Sequence, residues 1–363
     1  MNPNDHLDSP AVPALPIPQE AYNRPWAAST HNVLRLYFNL LSSALGRLFG
    51  PFGGRFLNAP NGSFYDTTDQ YDGATSIPYA VRFNSTAYSN GISITSRTFS
   101  GTGSIGPAST TMTITAVASG RLYPSMVLSG ATVTTGTYVY LQLSSTAPNV
   151  SGTFNYVSGG APGATTVTLS TVAGLEGRQF VSGTGVPANT RITYVDTATN
   201  TITLSAAFTI QAAGAYTFKP WGYEGTYSVN PSQTSASGTI TGNLPSMITP
   251  VYNGLYNVQI SLQFTNTTNN VVHEVDVWFR KNDVDIPDSN SRFSIPGAHS
   301  GLNGQLIAAL NFFADLQSGD VLEVLWHTDN SDVYIETIAA TTNPIRPQTP
   351  SAIVTVAFVS SLP

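Results

Sequence analysis

Residues 254–264, GLYNVQISLQF, and residues 275–282, VDVWFRKN, decide the fold class of this chain. In both stretches apolar and polar side chains alternate with a period of two, which predicts β-strands with one buried face. In the second stretch, Asp276 and Trp278 face one side. Three apolar side chains, Val275, Val277 and Phe279, face the opposite side. The two stretches therefore predict strands of a sheet that packs on a hydrophobic core.

The same character continues to the C-terminus and extends back to Gly53-Gly54. Three more strand-like stretches lie at residues 300–316, 321–328 and 352–359, and the turn sequence QSGD at 317–320 joins the first two. Upstream, short runs rich in Val, Ile, Thr, Tyr and Phe are separated by Gly, Asn, Asp and Pro, as in β proteins. Many short strands with polar turns indicate sandwiches or barrels, so we expect an all-β chain after its N-terminal segment.

The composition narrows the class of protein. Only 9% of the 363 residues are charged, against about 25% in ordinary soluble domains. Such surfaces suit rigid β proteins that pack into assemblies, because few charges need to be desolvated there. The net charge of −6 and the lack of a basic patch disfavour nucleic-acid binding. The absence of cysteine excludes disulfides and thiolate chemistry.

The N-terminal residues 1–28 are rich in proline. Pro10, Pro13, Pro16 and Pro18 favour an extended, polyproline-like arm. We expect this arm to anchor the protein to another molecule, with a disordered tail as the alternative. The segment lacks both the basic start and the apolar run of a secretory signal, so we expect no signal peptide.

Residues 30–49, THNVLRLYFNLLSSALGRLF, predict a helix. Ser29 or Thr30 would cap its start, and Gly50 followed by Pro51 would end it. We expect six of its apolar side chains to mediate oligomerisation or anchoring: Leu34, Tyr37, Phe38, Leu41, Leu45 and Leu48.

The spacing of these residues suggests what the helix contacts. Leu34, Leu41 and Leu48 repeat every seven residues, as in a short coiled coil. A helix that is apolar nearly all round is buried on most sides. We expect its partners to be copies of itself or another protein, and packing on the chain's own sheets is the alternative. Arg35 and Arg47 argue against a membrane span.

An internal repeat lies in the middle of the chain. Residues 110–139 and 165–192 both open with a Thr-rich strand, and both then carry an apolar pair, a Ser-Gly and a Val three residues after the Gly. The second copy ends with a strand-like segment at 200–207, whereas the corresponding segment of the first copy is found only at 225–242. This spacing predicts that the second unit is inserted into a loop of the first. Low complexity in Thr, Ser and Gly is the alternative.

The C-terminal strands resemble those of the C1q/TNF-like jelly roll. The resemblance is carried by GLYNVQISLQF, VDVWFRKND and NGQLIAALNFFADLQSGDVLEVLW. FYDTTDQ (64–70), YAVRFNSTAYSNGISI (79–94) and IETIAATTNPIRPQTPSAIVTVAFV (335–359) add a resemblance to bacteriophage virion proteins that carry such a head. The resemblance implies a ten-strand sandwich that assembles as a tight trimer through apolar and aromatic faces.

The resemblance also implies roles for particular residues and a division of the chain. We expect six aromatic side chains to form the core of the head, with some of them lining the trimer axis: Tyr256, Trp278, Phe279, Phe312, Phe313 and Trp326. In such heads the strand at 254–264 follows soon after a segment like 80–94, whereas here a long segment intervenes. We therefore read residues 99–242 as an insertion within the jelly roll.

The resulting domain map has five segments. They are the arm at 1–28, the helix and linker at 29–63, the first jelly-roll strands at 64–98, the inserted β domain at 99–242 and the remainder of the jelly roll at 243–363. The nested repeat divides the insertion into one unit at about 110–152 plus 225–242 and a second at 153–224.

Three motifs suggest chemistry, and we reject each of them. Gly101-x-Gly103-x-x-Gly106 matches dinucleotide spacing but precedes a Thr-rich strand rather than a helix. Asp283, Asp285 and Asp288 lack the glycine and distal glutamate of a calcium loop, so Asx turns are the better interpretation. His273 and Glu274 would point to opposite faces of a strand. We expect no catalytic, metal-binding or cofactor-binding residue, and no cofactor.

These observations predict a non-enzymatic virion surface protein. We expect a homotrimeric fibre or spike that attaches to other virion proteins through residues 1–63 and presents its head to a host-surface glycan or protein. A capsid decoration or head fibre is one alternative. A carbohydrate-binding module or depolymerase is a second, and a secreted C1q-like lectin is a third, which the lack of a visible signal peptide argues against. We expect neither nucleic-acid binding nor membrane insertion.

Overall fold

The computed structural model describes residues 24–48, 59–73, 77–130, 132–233 and 235–360. Within these ranges the chain forms one helix and 26 β-strands in antiparallel sheets. The all-β class that the alternating stretches predict is therefore confirmed. The arm expected at residues 1–28 falls largely on residues 1–23, which lie outside the described residues.

The helix, α1 (Arg24–Leu48), begins earlier than its sequence indicates. Ser29 and Thr30 lie inside it, so the prediction that one of them caps its start is wrong. The Thr30 hydroxyl instead donates to the carbonyl of Trp26, 3.0 Å away, one turn back in the helix. Pro25 is tolerated because the first turn of a helix needs no amide donor there. The expected end at Gly50 lies outside the described residues.

The strands are numbered in chain order. The first eight are β1 (Asn61–Asp66), β2 (Gln70–Tyr71), β3 (Tyr79–Ala80), β4 (Ser85–Asn90), β5 (Ile92–Ile105), β6 (Ser109–Gly120), β7 (Val127–Ser129) and β8 (Tyr138–Ser145). The next six are β9 (Phe154–Gly159), β10 (Thr166–Leu169), β11 (Phe180–Ser182), β12 (Ile192–Asp196), β13 (Thr201–Leu204) and β14 (Ala215–Lys219).

The remaining strands complete the chain. They are β15 (Gly225–Gln233), β16 (Ala236–Pro250), β17 (Gly254–Asn266), β18 (His273–Lys281), β19 (Val284–Asp285), β20 (Ser291–Ile295), β21 (Gly304–Leu316), β22 (Leu322–Thr328), β23 (Val333–Ile335), β24 (Thr341–Thr342), β25 (Ile345–Arg346) and β26 (Ala352–Ser360).

A seven-stranded sheet is built around β17. One edge of β17 pairs with β21 along its full length, from Gly254 opposite Leu316 to Asn266 opposite Gly304. The other edge pairs with β26 and, further along, with β23. β1 and β4 extend the sheet beyond β26, and β2 extends it beyond β23. The main order is therefore β4, β1, β26, β17, β21.

An eleven-stranded sheet provides the opposing layer. Its main order is β19, β18, β22, β16, β5, β6, β15, β8, β7, with β20 paired to β18 and β3 paired to β22. Strands β16, β18 and β22 share one core with the seven-stranded sheet. The largest fully buried aromatic side chains of this first core come from both layers and the loop after β3: Phe64, Tyr79, Phe83, Tyr256, Phe264, Phe279 and Trp326. Each such side chain stabilises the fold by roughly 1.5–3 kcal/mol on burial.

Strands β5 and β16 are long enough to serve two cores. They pair from Pro250 opposite Ile92 to Ala236 opposite Ile105. Ile92 and Ile248, near one end, lie in the first core. Phe99 and Ile240, further along, lie in a second core with residues of β6, β7, β8 and β15. The ladder is continuous across residues 98/99 and 242/243, so the two cores are joined by a rigid two-stranded ribbon.

A third core lies within residues 150–218. Its strands form a separate six-stranded sheet in the order β11, β14, β9, β10, β13, β12. Phe154 and Phe218 pack edge to face at its centre, with ring centroids 5.0 Å apart. The segment leaves and returns at one place, because the Val150 amide donates to the Phe218 carbonyl at 2.7 Å.

Candidate functional site

The aromatic residues singled out by sequence occupy different environments. Tyr256, Phe279 and Trp326 are fully buried in the first core. Phe312 is partly buried and stacks on Phe279 with ring centroids 4.7 Å apart and an angle of 15° between the rings. These four side chains hold the two sheets together. Core packing therefore accounts for all four.

Trp278 lies on the opposite face of β18 and packs against the second core. Its indole nitrogen donates to Asp285 Oδ1 at 3.0 Å. Ala80 on β3 and Leu325 on β22 are buried in the same second core, although other side chains of these two strands lie in the first core. Trp278 therefore helps to attach the strands of the second core to β18.

Phe313 lies on an exposed surface that we call the outer sheet face. This surface comprises outward-pointing side chains in the middle of β17, β21 and β26: Asn257, Gln259, Ser261, Ile307, Ala309, Asn311, Phe313, Ile353, Thr355 and Ala357. These ten side chains carry no charge, and the exposed Asp315 lies on the same side of β21, two positions beyond Phe313. Phe313 is 54% exposed and Ile307 is 62% exposed. The Oδ1 atom of Asn257, which lies opposite Phe313, is buried and accepts no hydrogen bond from the described residues.

The helix also exposes apolar side chains. Leu36, Phe38 and Leu40 are each about 60% exposed, and Leu45 is 42% exposed. Leu34, Tyr37 and Leu41 are half-buried along one stripe. The side chain of Leu48 lies outside the described part. No described helix residue belongs to any of the three cores, so the alternative in which the helix packs on the chain's own sheets finds no support.

The glycine motif has a packing explanation. Gly101 and Gly103 lie on β5, and a methyl group at Gly101 would come within 2.6 Å of the Ala116 carbonyl oxygen. At Gly103 it would come within 2.7 Å of Ile114 Cδ1. The two glycines allow β6 to lie closely against β5. This role differs from the phosphate cradle of a dinucleotide-binding loop, which opens a helix.

Two of the three aspartates at residues 283–288 form ion pairs with arginines. Asp283 contacts Arg97 at 2.5 Å, and Asp285 contacts Arg280 at 2.7 Å. Asp288 has a φ of 59°, in the left-handed region that turns use. Elsewhere in the described chain, His273 Nδ1 lies 3.1 Å from Asp329 Oδ1. Within the described residues no group of three or more His, Asp or Glu side chains is placed to hold a metal ion.

Sequence reasoning missed a cleft of about 820 Å³. It lies where β5, the end of β6 and residues 147–148 and 220–224 approach one another. Arg97, Arg121, Tyr123 and Tyr223 line the cleft, and Trp221 and Arg178 lie behind them in ring and cation contact. We call these six side chains the arginine–aromatic cluster. The cluster connects parts of the chain that belong to different cores. Arg97 lies on β5, which contributes to the first and second cores, and Arg178 precedes β11 of the third. The other four residues come from the strands and loops around the second core.

In the cluster, arginine guanidinium groups lie close to aromatic rings. The Arg97 guanidinium lies 4.5 Å from the centroid of the Tyr123 ring, which meets the Trp221 ring edge to face at 4.9 Å. Arg121 and Arg178 lie 5.6 Å and 4.9 Å from the Trp221 centroid. Each contact of this kind contributes about 0.5–2 kcal/mol. These contacts between cations and rings therefore fix the relative positions of segments that are distant in sequence.

Most of the arginines are neutralised locally. Arg97 pairs with Glu323 at 2.7 Å, and Arg121 pairs with Glu176 at 2.8 Å. Burial disfavours the charge of Arg97, but the hydrogen bond and charge of Glu323 raise the pKa of Arg97 above its ordinary value. Arg178 forms no ion pair with the described residues. Burial and then the charge of Arg280 lower the pKa of Arg178 to about 10.

The cluster carries a faint sequence signal. In a chain with so few charges, Arg121-Leu-Tyr123 and Trp221-Gly-Tyr223 each place two large polar-tipped residues on one face of the backbone. Their approach to each other across about 100 residues is set by the pairing of β6 with β15 and could not be derived from spacing.

Comparisons with known proteins do not identify the chain. No family model matches it, and no significant relative was found among curated proteins. In the described part of the chain, the helix is too polar or too short to cross a membrane.

Proposed function

We propose that this chain is a non-enzymatic bacteriophage virion surface protein, built as a homotrimeric fibre or spike with a jelly-roll head. The observation that carries the proposal is the exposed apolar helix α1. Leu36, Phe38 and Leu40 would be costly to leave in water, because each exposed side chain forgoes roughly 1.5–3 kcal/mol of burial. A helix of this kind needs partners outside its own chain.

The sheet orders support the jelly-roll assignment. One layer runs β4, β1, β26, β17, β21, and the facing part of the other runs β5, β16, β22, β18, β20. The chain thus passes repeatedly between two layers that enclose one core, as expected of a C1q/TNF-like head. In this assignment residues 99–242 are the insertion, which provides most of the second core and all of the separate third core.

The outer sheet face supports trimer formation. Its central part is uncharged and exposes Phe313 and Ile307, with Asp315 at its margin, and the buried Asn257 Oδ1 lacks a donor within the described chain. A second copy of the chain would cover the apolar side chains and could supply that donor. In a trimer with three-fold symmetry each contact joins two different patches of neighbouring copies, so this face would meet another surface of the next copy around the axis.

The order of the parts along the chain supports a proposed position on the particle. The helix lies N-terminal to all the sheets, so residues 1–63 would dock on other virion proteins while the head and insertion project outward. Host-surface attachment, as a tail fibre, is the function that suits a projecting head. Capsid decoration or a head fibre is the second candidate. A carbohydrate-binding module or depolymerase is the third.

Three measurements test this proposal. Mass spectrometry of purified particles should detect the chain, and the protein missing from particles but abundant in the infected-cell lysate would refute the proposal. Analytical ultracentrifugation of the purified chain should give three times the monomer mass. Replacing Leu41 with Asp should abolish incorporation into particles, whereas Ser42→Asp on the exposed side of the helix should leave it unchanged.

A further inference from the structure

We propose that the 820 Å³ cleft above the arginine–aromatic cluster binds a neutral oligosaccharide. The inference rests on the proposed function, since it names the class of host-surface ligand and the site that would take it. The cleft volume falls within the range of about 300–1,000 Å³ that is usual for ligand sites. Its position at the junction of three cores is also one at which ligand sites concentrate.

The hydrogen-bonding groups of the cleft suit hydroxyl-rich ligands. Tyr123 and Tyr223 each accept a hydrogen bond from an arginine, Arg97 Nη1 at 3.0 Å and Arg121 Nε at 3.0 Å. A phenol that accepts from a cation keeps its own hydrogen for another acceptor and donates it more strongly. The Glu224 carboxylate lines the same cleft and provides an acceptor. Sugar hydroxyls both donate and accept, so they match this mixture.

The shape of the cleft also provides apolar surface. Pro148, Pro220 and Met247 line it together with the edges of Tyr123 and Tyr223. The faces of sugar rings carry C–H groups that pack against such side chains and exclude water. Polar groups at the rim and apolar groups between them therefore complement an amphipathic ring.

The charges of the cleft disfavour an acidic ligand. Arg97 already contacts Asp283 and Glu323, and Arg121 already contacts Glu176. The surrounding carboxylates, with Glu224 in addition, would repel a second anion at short range. The arginines instead act as oriented, neutralised donors that hold the tyrosines in place.

An added peptide strand is a less suitable ligand, although part of β6 has an unpaired edge in the described part of the chain. This edge pairs with β15 only as far as Ile114, so residues 115–120 have no strand neighbour on that side among the described residues. However, the Val117 amide already donates to Glu224 Oε1 at 3.2 Å. An added strand would have to displace that carboxylate, whereas a saccharide can bond to it.

Saturation-transfer NMR on the full-length protein tests the proposal. The probes are neutral gluco-, galacto- and manno-oligosaccharides and N-acetylglucosamine oligomers of two to six units, with oligogalacturonate as the acidic comparison. We expect at least one neutral series to bind. Tyr223→Phe keeps the ring but removes the hydroxyl, and it should weaken binding by about fivefold, the effect of one hydrogen bond. Tyr223→Ala should weaken it by more than tenfold.

The matched control is Tyr194→Ala, which removes an exposed tyrosine from β12 outside the cleft. It should leave binding unchanged. No binding by any neutral series, a preference for oligogalacturonate, or equal binding by the wild type and Tyr223→Phe would overturn the proposal. Particle analysis keeps the two proposals separable. Tyr223-dependent binding by a protein absent from particles would leave the cleft assignment standing and refute the virion assignment.

Discussion

Arg97 on β5 and Glu323 on β22 form a two-point ion pair across the intervening strand β16. Nη2 lies 2.7 Å from Oε2, and Nε lies 3.1 Å from Oε1. Ser246 on β16 donates its hydroxyl to Oε1 at 2.6 Å. The two charged side chains are only 12% and 3% exposed. Three adjacent strands are thus held at the boundary between the first and second cores by one polar network.

Removing one partner of this ion pair should strongly destabilise the fold. Arg97→Met leaves the buried Glu323 carboxylate without its cation, and loss of one partner of a buried pair costs about 3–5 kcal/mol. Replacing both residues, as Arg97→Met with Glu323→Leu, should recover most of that loss because no charge remains uncompensated. Urea unfolding of the three proteins measures the effect. A double variant whose loss equals the sum of the single losses would contradict this account.

Buried tyrosines should make the fold sensitive to alkali. Burial, with a smaller contribution from Tyr252, raises the pKa of Tyr256 to about 12, above the value of about 10 in an unfolded chain. The protonated form is therefore favoured by folding. Its contribution is complete below pH 10 and is lost as the pH rises from 10 to 12, at no more than about 1.4 kcal/mol per pH unit.

Tyr256→Phe tests this alkaline sensitivity. The variant loses the hydrogen bond of the Tyr256 hydroxyl to the Tyr252 carbonyl, 2.7 Å away, so its stability at pH 8 should fall by about 1 kcal/mol. Between pH 10 and 12 its stability should fall less steeply than that of the wild type. The exposed Tyr194→Phe serves as the control. Parallel stability curves for Tyr256→Phe and wild type across this interval would disprove the prediction.

Substitutions of Phe279 and Phe313 should have different effects, the first on folding and the second on assembly. Phe279→Ala empties a fully buried position and should cost about 3–5 kcal/mol of unfolding free energy. Phe313 is half exposed on the outer sheet face. Phe313→Ser should therefore change monomer stability by less than about 1 kcal/mol but reduce the proportion of trimer in sedimentation. An unchanged sedimentation profile for Phe313→Ser would remove the outer sheet face from the assembly model.

The third core should be removable. Its buried side chains come only from residues 150–218, and the ends of that segment are joined by the Val150–Phe218 hydrogen bond. Replacing 150–218 with an Asn-Gly turn should leave a chain that unfolds cooperatively, because the first two cores keep all their members. Near-UV circular dichroism and thermal melting check this outcome. A shortened chain without a cooperative transition would show that the third core is needed for the others to fold.

Some features were predictable because they depend on local periodicity. Val275, Val277 and Phe279 alternate with Trp278, and the structure buries the three in one core and turns Trp278 toward another. The helix was predictable as an element, but its start was not. Ser29 and Thr30 resemble caps, yet the helix continues through them from Arg24 because nothing in their own side chains stops it.

The sequence by itself determined the β class, the apolar helix and the absence of thiol chemistry, since each depends on residue type or on spacing over a few positions. Only the tertiary structure decided which distant residues meet. Arg97 and Glu323 lie 226 positions apart, and Arg121 and Tyr223 lie 102 apart. Strand register brings such pairs together, and register depends on the fit of whole sheets over their cores. The cleft was therefore invisible until the sheets were assembled.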